Sequence, residues 1–468
     1  MAMFDYNVKI GLVAMRRNTT DRPRGTFLNW YSAEQRGEKF TTYIQQNFTS
    51  PKVSCVDNKG IAINDLVFDD ASAKEVVARF KEEQVDAVMI INCNFGNEEA
   101  CGRVAREMGL PVLLWGPQDM VFEPNGQRYT DCQCGLFAIS KQLKRSDVPF
   151  SYIENSPVES EIFREGFVKF LSVATMVKNF KNLAITQVGT RLNPFKSMLT
   201  NELELTEKFG FNMQTVNMAV VTDKFNKLYA SNAVELCGDV EKLKEQYDVA
   251  DLTDEQLKKM LTFVYVYKEI FEETDADVLA TECWTSMPLA VGANPCLAMS
   301  ILYDMGYIVA CESDVCGAVT CVLLRCAARG KEAPLFGEFT VRHPENKNAE
   351  LLWHCGPFPY STKAEDSTAK LFNTKPSFRA KDGNYTLARF QGERGKYKLL
   401  GGNYHTIEGP HTFGTYMWAE FKDMSKLEKK LIYGPYVHHM TEIYGEYADV
   451  LEEFCQYIPE LEFDPLED

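Results

Sequence analysis

Residues 309–320 read VACESDVCGAVT, with two acids, Glu312 and Asp314, set between apolar runs that both read as buried. Acids so placed either cap the helix pattern that follows or take part in chemistry. Asp314 suits the cap, because Asp is favoured just before a helix, which frees Glu312 for a ligand. All six histidines, His343, His354, His405, His411, His438 and His439, come after residue 340, among Glu338, Glu408, Glu420 and Glu442. Carboxylates with one or two imidazoles form a mixed oxygen and nitrogen set that suits Mn2+, Mg2+ or Fe2+ better than structural zinc. The competing reading is a solvated set of surface acids and histidines, which is common. The nearest approach to a zinc motif, Asp131-Cys132-Gln133-Cys134, is a lone C-x-C without a second ligand pair.

The elements that must position these groups follow an α/β pattern. VKIGLVAM (8–15), DAVMIINCNF (86–95) and PVLLWG (111–116) read as strands. Between and around them, 34–48, 70–83 and 97–109 carry apolar residues at helical spacing, the last stopping at Gly109. Strands alternating with helices imply a parallel sheet, whose ligands bind beyond the C-terminal strand ends. A second such pattern follows, with strands at NLAITQVGTR, ADVLATECW and YIVACESD and a long helix over 252–274. Glu312 thus stands where a strand leaves its sheet. From Phe336 helical periodicity gives way to short strand-like runs between Gly, Pro and Asn. The expected fold is two doubly wound Rossmann-like α/β domains, 1–170 and 171–335, followed by a C-terminal antiparallel β domain, 336–468.

Composition narrows the class. A net charge of -16, from 50 basic and 66 acidic residues, argues against nucleic acid as a partner. No run approaches the roughly 20 apolar residues of a membrane span, and the N-terminus enters a strand pattern at once instead of a signal-peptide pattern. Fourteen cysteines scattered through apolar segments read as reduced, buried thiols. The expectation is a cytoplasmic protein. No G-x-G-x-x-G follows the first strand, which counts against a dinucleotide-dependent oxidoreductase.

CESDVCGAVT, then GEF at 337–339, HCG at 354–356 and HH at 438–439 together resemble the L-arabinose isomerase and L-fucose isomerase superfamily. Glu338 lies 26 residues after Glu312, and His354 lies 16 after Glu338, close to the arabinose-type order of ligands. The turn around Glu312 is closer to the fucose type, C-E-x-D-x-x-G-A-x-T. Fucose isomerases carry Asp where this chain has Glu338, and one closing His. The resemblance is clearest over 300–445. It implies an aldose–ketose isomerase working through an ene-diol with Mn2+ or another divalent cation such as Mg2+. It also implies metal ligands Glu312, Glu338, His439 and His354, with the two glutamates as the acid–base pair. Adjacent strand residues point to opposite faces, so only one of His438 and His439 should reach the metal, unless that stretch is a loop; the resemblance favours the second and leaves His438 for substrate. Hexamers with sites shared between subunits are implied as well.

For substrate binding, Arg16, Arg17, Arg22 and Arg24 follow the first strand, and arginine suits planar anions such as carboxylate, phosphate or sulfonate. The plainer reading is a solvated basic loop. Trp115, Trp284 and Trp418 are candidates for stacking on a sugar, or else core. L-fucose, D-arabinose, L-arabinose and an anionic hexose such as sulfoquinovose all fit. The alternative from another class is a non-catalytic sugar-binding protein of two α/β lobes.

Overall fold

The computed structural model describes residues 4–17, 31–119, 122, 126, 128, 130–233 and 238–467. The chain forms two compact units, Asp5–Lys178 and Asn179–Asp468.

The first unit is built on a parallel sheet of β1 (Val8–Met15), β2 (Val53–Asp57), β3 (Ala87–Asn92), β4 (Val112–Trp115) and β5 (Ser151–Tyr152) in the order β2-β1-β3-β4-β5. β3, AVMIIN, is buried along its whole length, as expected of a strand covered on both faces. One apolar layer packs β1 against the helix Tyr31–Phe48, and the other packs β3 against Asp70–Glu82 and Glu98–Met108. Local chemistry sets the helix ends. Asp69 and Ser72 form a capping box, and Gly109 ends its helix at φ 62°. Trp115 is enclosed between Phe40 and Phe163 with no exposed surface. Its expected stacking on a sugar is therefore corrected: it fills the core at a strand end.

The second unit opens with a parallel sheet of β6 (Ala184–Val188), β7 (Asn212–Val216), β8 (Val278–Thr281) and β9 (Val309–Ala310), ordered β7-β6-β8-β9. The helix Asp254–Thr274 covers it, opened by a capping box of Thr253 and Gln256. The β region follows, with β10 (Leu335–Arg342), β11 (Ala349–His354), β12 (Lys370–Phe372), β13 (Lys375–Arg379), β14 (Asn384–Glu393), β15 (Lys396–Ile407), β16 (Thr415–Glu420), β17 (His439–Tyr444) and β18 (Leu461–Pro465). Six of these strands, in the order β16-β11-β10-β17-β14-β15, pair antiparallel, and β15 returns to β16. The sheet thus closes into a barrel, which removes its free edges. β13 and β18 add to it as parallel strands.

The fold class is as expected: two parallel-sheet α/β parts and a C-terminal antiparallel β part. One helix joins the last two. Val315–Ala327 is buried on nearly every face, as its uniformly apolar sequence requires, and it packs against β8, β9, β14 and β17. Trp418 lies in the barrel with Leu351 and Tyr416, its indole N–H bonded to the Pro410 carbonyl at 2.9 Å. It too is structural, which corrects its expected stacking role. Among the described residues no helix is long and apolar enough to cross a membrane, and the described cysteines are free thiols.

A candidate metal and acid–base centre

The site forms where β9 runs into the buried helix and meets the barrel. β9 ends in a single tight turn, Cys311–Ser313, with Glu312 at φ 62° and Ser313 at φ 56°. Two consecutive non-glycine residues in the left-handed region are strained, and such strain collects at functional sites. The turn aims the Glu312 side chain away from the sheet. Its Oε1 accepts the Trp284 indole N–H at 2.8 Å, and its Oε2 lies 3.0 Å from His439 Nε2.

Asp314 does what the cap reading expects, accepting the Gly317 N–H at 2.9 Å. It also does more. Its carboxylate binds both Nη atoms of Arg389 on β14, at 2.5 and 3.0 Å, and stands 3.0 Å from His439 Nδ1. Burial works against the charged form, but Arg389 and His439 outweigh it and hold the Asp314 carboxyl far below the usual carboxylate range. Gln391 Oε1 takes two further bonds from the buried Arg389, at 3.0 and 2.8 Å.

Glu338 on β10 sits directly opposite His439 on β17, so the register of two antiparallel strands puts both side chains on one face. His439 Nε2 is 3.9 Å from Glu338 Oε2, and His438 Nε2 is 3.5 Å from the same oxygen. His438 precedes β17 in a bend, so strand alternation does not govern it. Both rings join the cluster, with nitrogen atoms within 4.8 Å of a Glu312 oxygen. His438 is thus the non-strand case in which the one-of-two expectation does not apply. His354, at the end of β11, completes a second group with Glu338 and His439. Its Nδ1 accepts the Cys355 backbone N–H at 2.9 Å, which leaves the proton of the neutral ring on Nε2. Phe336 packs beside His354 and His439, while Phe195 meets the edges of Trp284, His438 and His439.

The electrostatics separate the two glutamates. Burial pushes both carboxyls up. In Glu312 the adjacent imidazoles of His439 and His354 reverse the effect, and the net shift is downward. In Glu338 burial prevails and the net shift is upward. His438 is pushed down to about 4, by burial first and the neighbouring His439 second.

The residues fit a bound cation. In the neutral ring, donation from Nδ1 to Asp314 turns the His439 Nε2 lone pair toward two carboxylates. His439 Nε2 and Glu312 Oε2 are buried without an aligned hydrogen-bond partner, their 3.0 Å approach being a contact and not a directed bond. Acceptors of one sign meeting in a buried place need a positive partner. A carboxylate behind an imidazole whose other nitrogen faces the ligand oxygens is the usual support of a metal-binding histidine.

The remaining sequence candidates lie in the first unit or outside the described residues. Arg16 ends β1 buried, its guanidinium 3.9 Å from the Phe68 ring centre; Arg17 is half-buried over Phe95, with its backbone N–H on Asn94 Oδ1 at 2.9 Å. Arg22 and Arg24 lie outside the described residues. Sequence reasoning missed Arg389, Gln391 and Phe195, and gave Asp314 half its role. A buried arginine in a strand is the one signal that could have pointed to Arg389, since such a charge needs a partner.

The chain is similar to known isomerases. A family profile described as "Fucose/sulfoquinovose isomerase, N-terminal domain" matches residues 20–181. A sulfoquinovose isomerase of Priestia megaterium is 27% identical over 386 residues, covering 80% of this chain and 84% of its own. One of Alkalicoccus urumqiensis is 26% identical over 336 residues, covering 70% and 74%, and one of a Clostridium species is 24% identical over 383 residues, covering 78% and 83%. These matches make the chain similar to the fucose isomerase-like aldose–ketose isomerases, the resemblance that its sequence motifs carry.

Proposed function

We propose that the protein interconverts an anionic aldohexose of the sulfoquinovose type and its 2-ketose, with a divalent cation of the Mn2+ class held by Glu312, Glu338 and His439. The observation that carries the reading is the bare His439 Nε2 set against two carboxylates and backed by Asp314. A bound cation there supplies Lewis acidity, which acidifies the sugar C–H and steadies charge on its two oxygens.

The side chains do the rest. Isomerisation moves one proton between C1 and C2 and another between the two oxygens. The carbon proton is the more reluctant and needs the stronger base, which is Glu338, raised by burial. Glu312, held anionic and pinned through Oε1 by Trp284, serves the hydroxyl proton. Environments that push two carboxyls apart in this way assign the acid and base roles. His354, carrying its proton on Nε2, acts as a donor to a sugar oxygen and not as a fourth ligand. His438 and the partly exposed Trp284 border the sugar. Arg17, at the C-terminal end of β1, is the candidate for the anionic group, supplied to the site of a neighbouring copy in a homo-oligomer, a hexamer by resemblance. Free thiols and an acidic surface support a cytoplasmic setting.

The test is removal of metal with EDTA, add-back of Mn2+ or Mg2+, and ketose formation assayed over sulfoquinovose, L-fucose, D-arabinose and L-arabinose. Activity lost and restored, highest on the sulfonated sugar, is the expected result. Sugar binding without turnover at any metal loading would replace this reading with a binding protein.

A further inference from the structure

Four thiols crowd together next to the centre, and the isomerisation chemistry uses none of them. Cys311 Sγ lies 3.4 Å from Cys283 Sγ, and Cys296 Sγ lies 3.6 Å from Cys355 Sγ. Cys311, His354 and Cys355 bring donor atoms within 4.8 Å of one another, which joins the two pairs into one row. Cys311 directly precedes Glu312, and Cys355 directly follows His354. Cys355 is half-buried, while Cys283, Cys296 and Cys311 are closed off. An open thiol with a second thiol held at contact distance is the arrangement of a peroxide-sensing pair.

We infer that Cys355 and Cys296 form a reversible disulfide when the protein meets hydrogen peroxide, and that this bond switches the centre off. The Cys355 sulfur attacks the peroxide O–O bond, giving a sulfenic acid and one water. Cys296 Sγ then attacks that sulfur, forming the S–S bond and releasing a second water. The two thiols lose two electrons and two protons, and the peroxide is reduced to two waters. A small thiol restores both cysteines by exchange.

The bond requires a sulfur separation of about 2.05 Å, well short of the 3.6 Å between the thiols. Cys296 begins the buried helix Cys296–Asp304, whereas Cys355 lies just beyond the end of β11. The displacement therefore falls on Cys355, whose N–H is bonded to His354 Nδ1. Catalytic constellations tolerate displacements of only about 0.5 Å, so the pull on His354 is felt in turnover.

The experiment treats the whole native protein with a small excess of hydrogen peroxide. Free thiols are then blocked, and the non-reduced digest is mapped by mass spectrometry. The expected product is a peptide pair joined through Cys296 and Cys355, lighter than its parts by two hydrogens. Isomerase activity should fall at least tenfold in step with it and return with dithiothreitol. Cys296→Ser should keep its untreated activity and trap Cys355 as a dimedone-reactive sulfenic acid, with no linked pair. Absence of the linked pair in the native protein, linkage between other cysteines, or full activity in the linked protein would overturn the inference. The mass readout is independent of any substrate, so its failure leaves the isomerase reading intact, and failure of turnover leaves the linkage measurable.

Discussion

At the residue scale the centre depends on how Asp314 sets the proton of His439. With Nδ1–H donated to Asp314, Nε2 is left to face Glu312 and Glu338. Asp314→Asn should therefore weaken Mn2+ binding about 10- to 100-fold, the usual cost of losing the group that orients a metal-bound imidazole. Calorimetric titration of the metal-stripped variant would check this. Glu338→Gln should keep the sugar bound while lowering kcat about 10^2- to 10^4-fold, because a positioned base is lost; steady-state kinetics separate the two. Glu442 gives a prediction about pH. It is fully buried in β17 with both side-chain oxygens unpartnered, and burial pushes its carboxyl from 4.5 up to about 8. The folded chain keeps a proton that the unfolded chain has lost, so stability falls as pH rises between these values. Glu442→Gln should match the parent in urea unfolding near pH 5 and exceed it above pH 8, by an amount on the order of 2–4 kcal/mol. Equal pH dependence of the two proteins would contradict this. Glu312, Glu338 and the histidines were legible in the sequence, because acids between apolar runs and a late cluster of imidazoles are visible as residue types. The bond from Trp284 to Glu312 and the ion pair of Arg389 with Asp314 were not. Each joins residues far apart in the chain, and no local pattern marks such contacts.

At the element scale, the helix Val315–Ala327 and the pairing of β10 with β17 hold the site. The helix was readable from its long apolar run, and its start from Asp314. That it would be buried between a parallel sheet and a barrel was not, since apolar content on all faces says that a helix is covered but not by what. The register of β10 with β17 sets Glu338 and His439 on one face, which no reading of either strand alone could show. Strand alternation does not govern His438, because the bend just before β17 escapes the period of two. Gly317 links helix to site. A Cβ there would stand 2.4 Å from the Phe336 ring and 2.8 Å from Asp314 Oδ2. Gly317→Ala should thus destabilise the unit by about 1–3 kcal/mol, as overpacking does, and loosen metal binding by displacing Asp314. Paired urea melts and metal titrations test both effects together. A variant that lost stability but kept full metal affinity would show that the helix start does not set the site.

At the scale of the whole molecule, layout was easier to read than use. Alternating patterns announced two parallel sheets and a final β part, but closure of that part into a barrel rests on β15 returning to β16 across distant sequence. The proposed anion contact gives a test that reaches across the molecule. Arg17→Ala should raise KM for a sulfonated aldose at least tenfold while leaving a neutral aldose little changed. Sedimentation of the same protein would show whether it assembles into the oligomer that the proposed sharing of the site requires. The most direct test of the central claim is a Mn2+ titration of the metal-stripped protein followed by electron paramagnetic resonance. One tight ion per chain is predicted for the parent and for His343→Ala, with affinity lowered in Glu312→Gln, Glu338→Gln and His439→Ala. Undiminished Mn2+ binding in all three of those variants would contradict it.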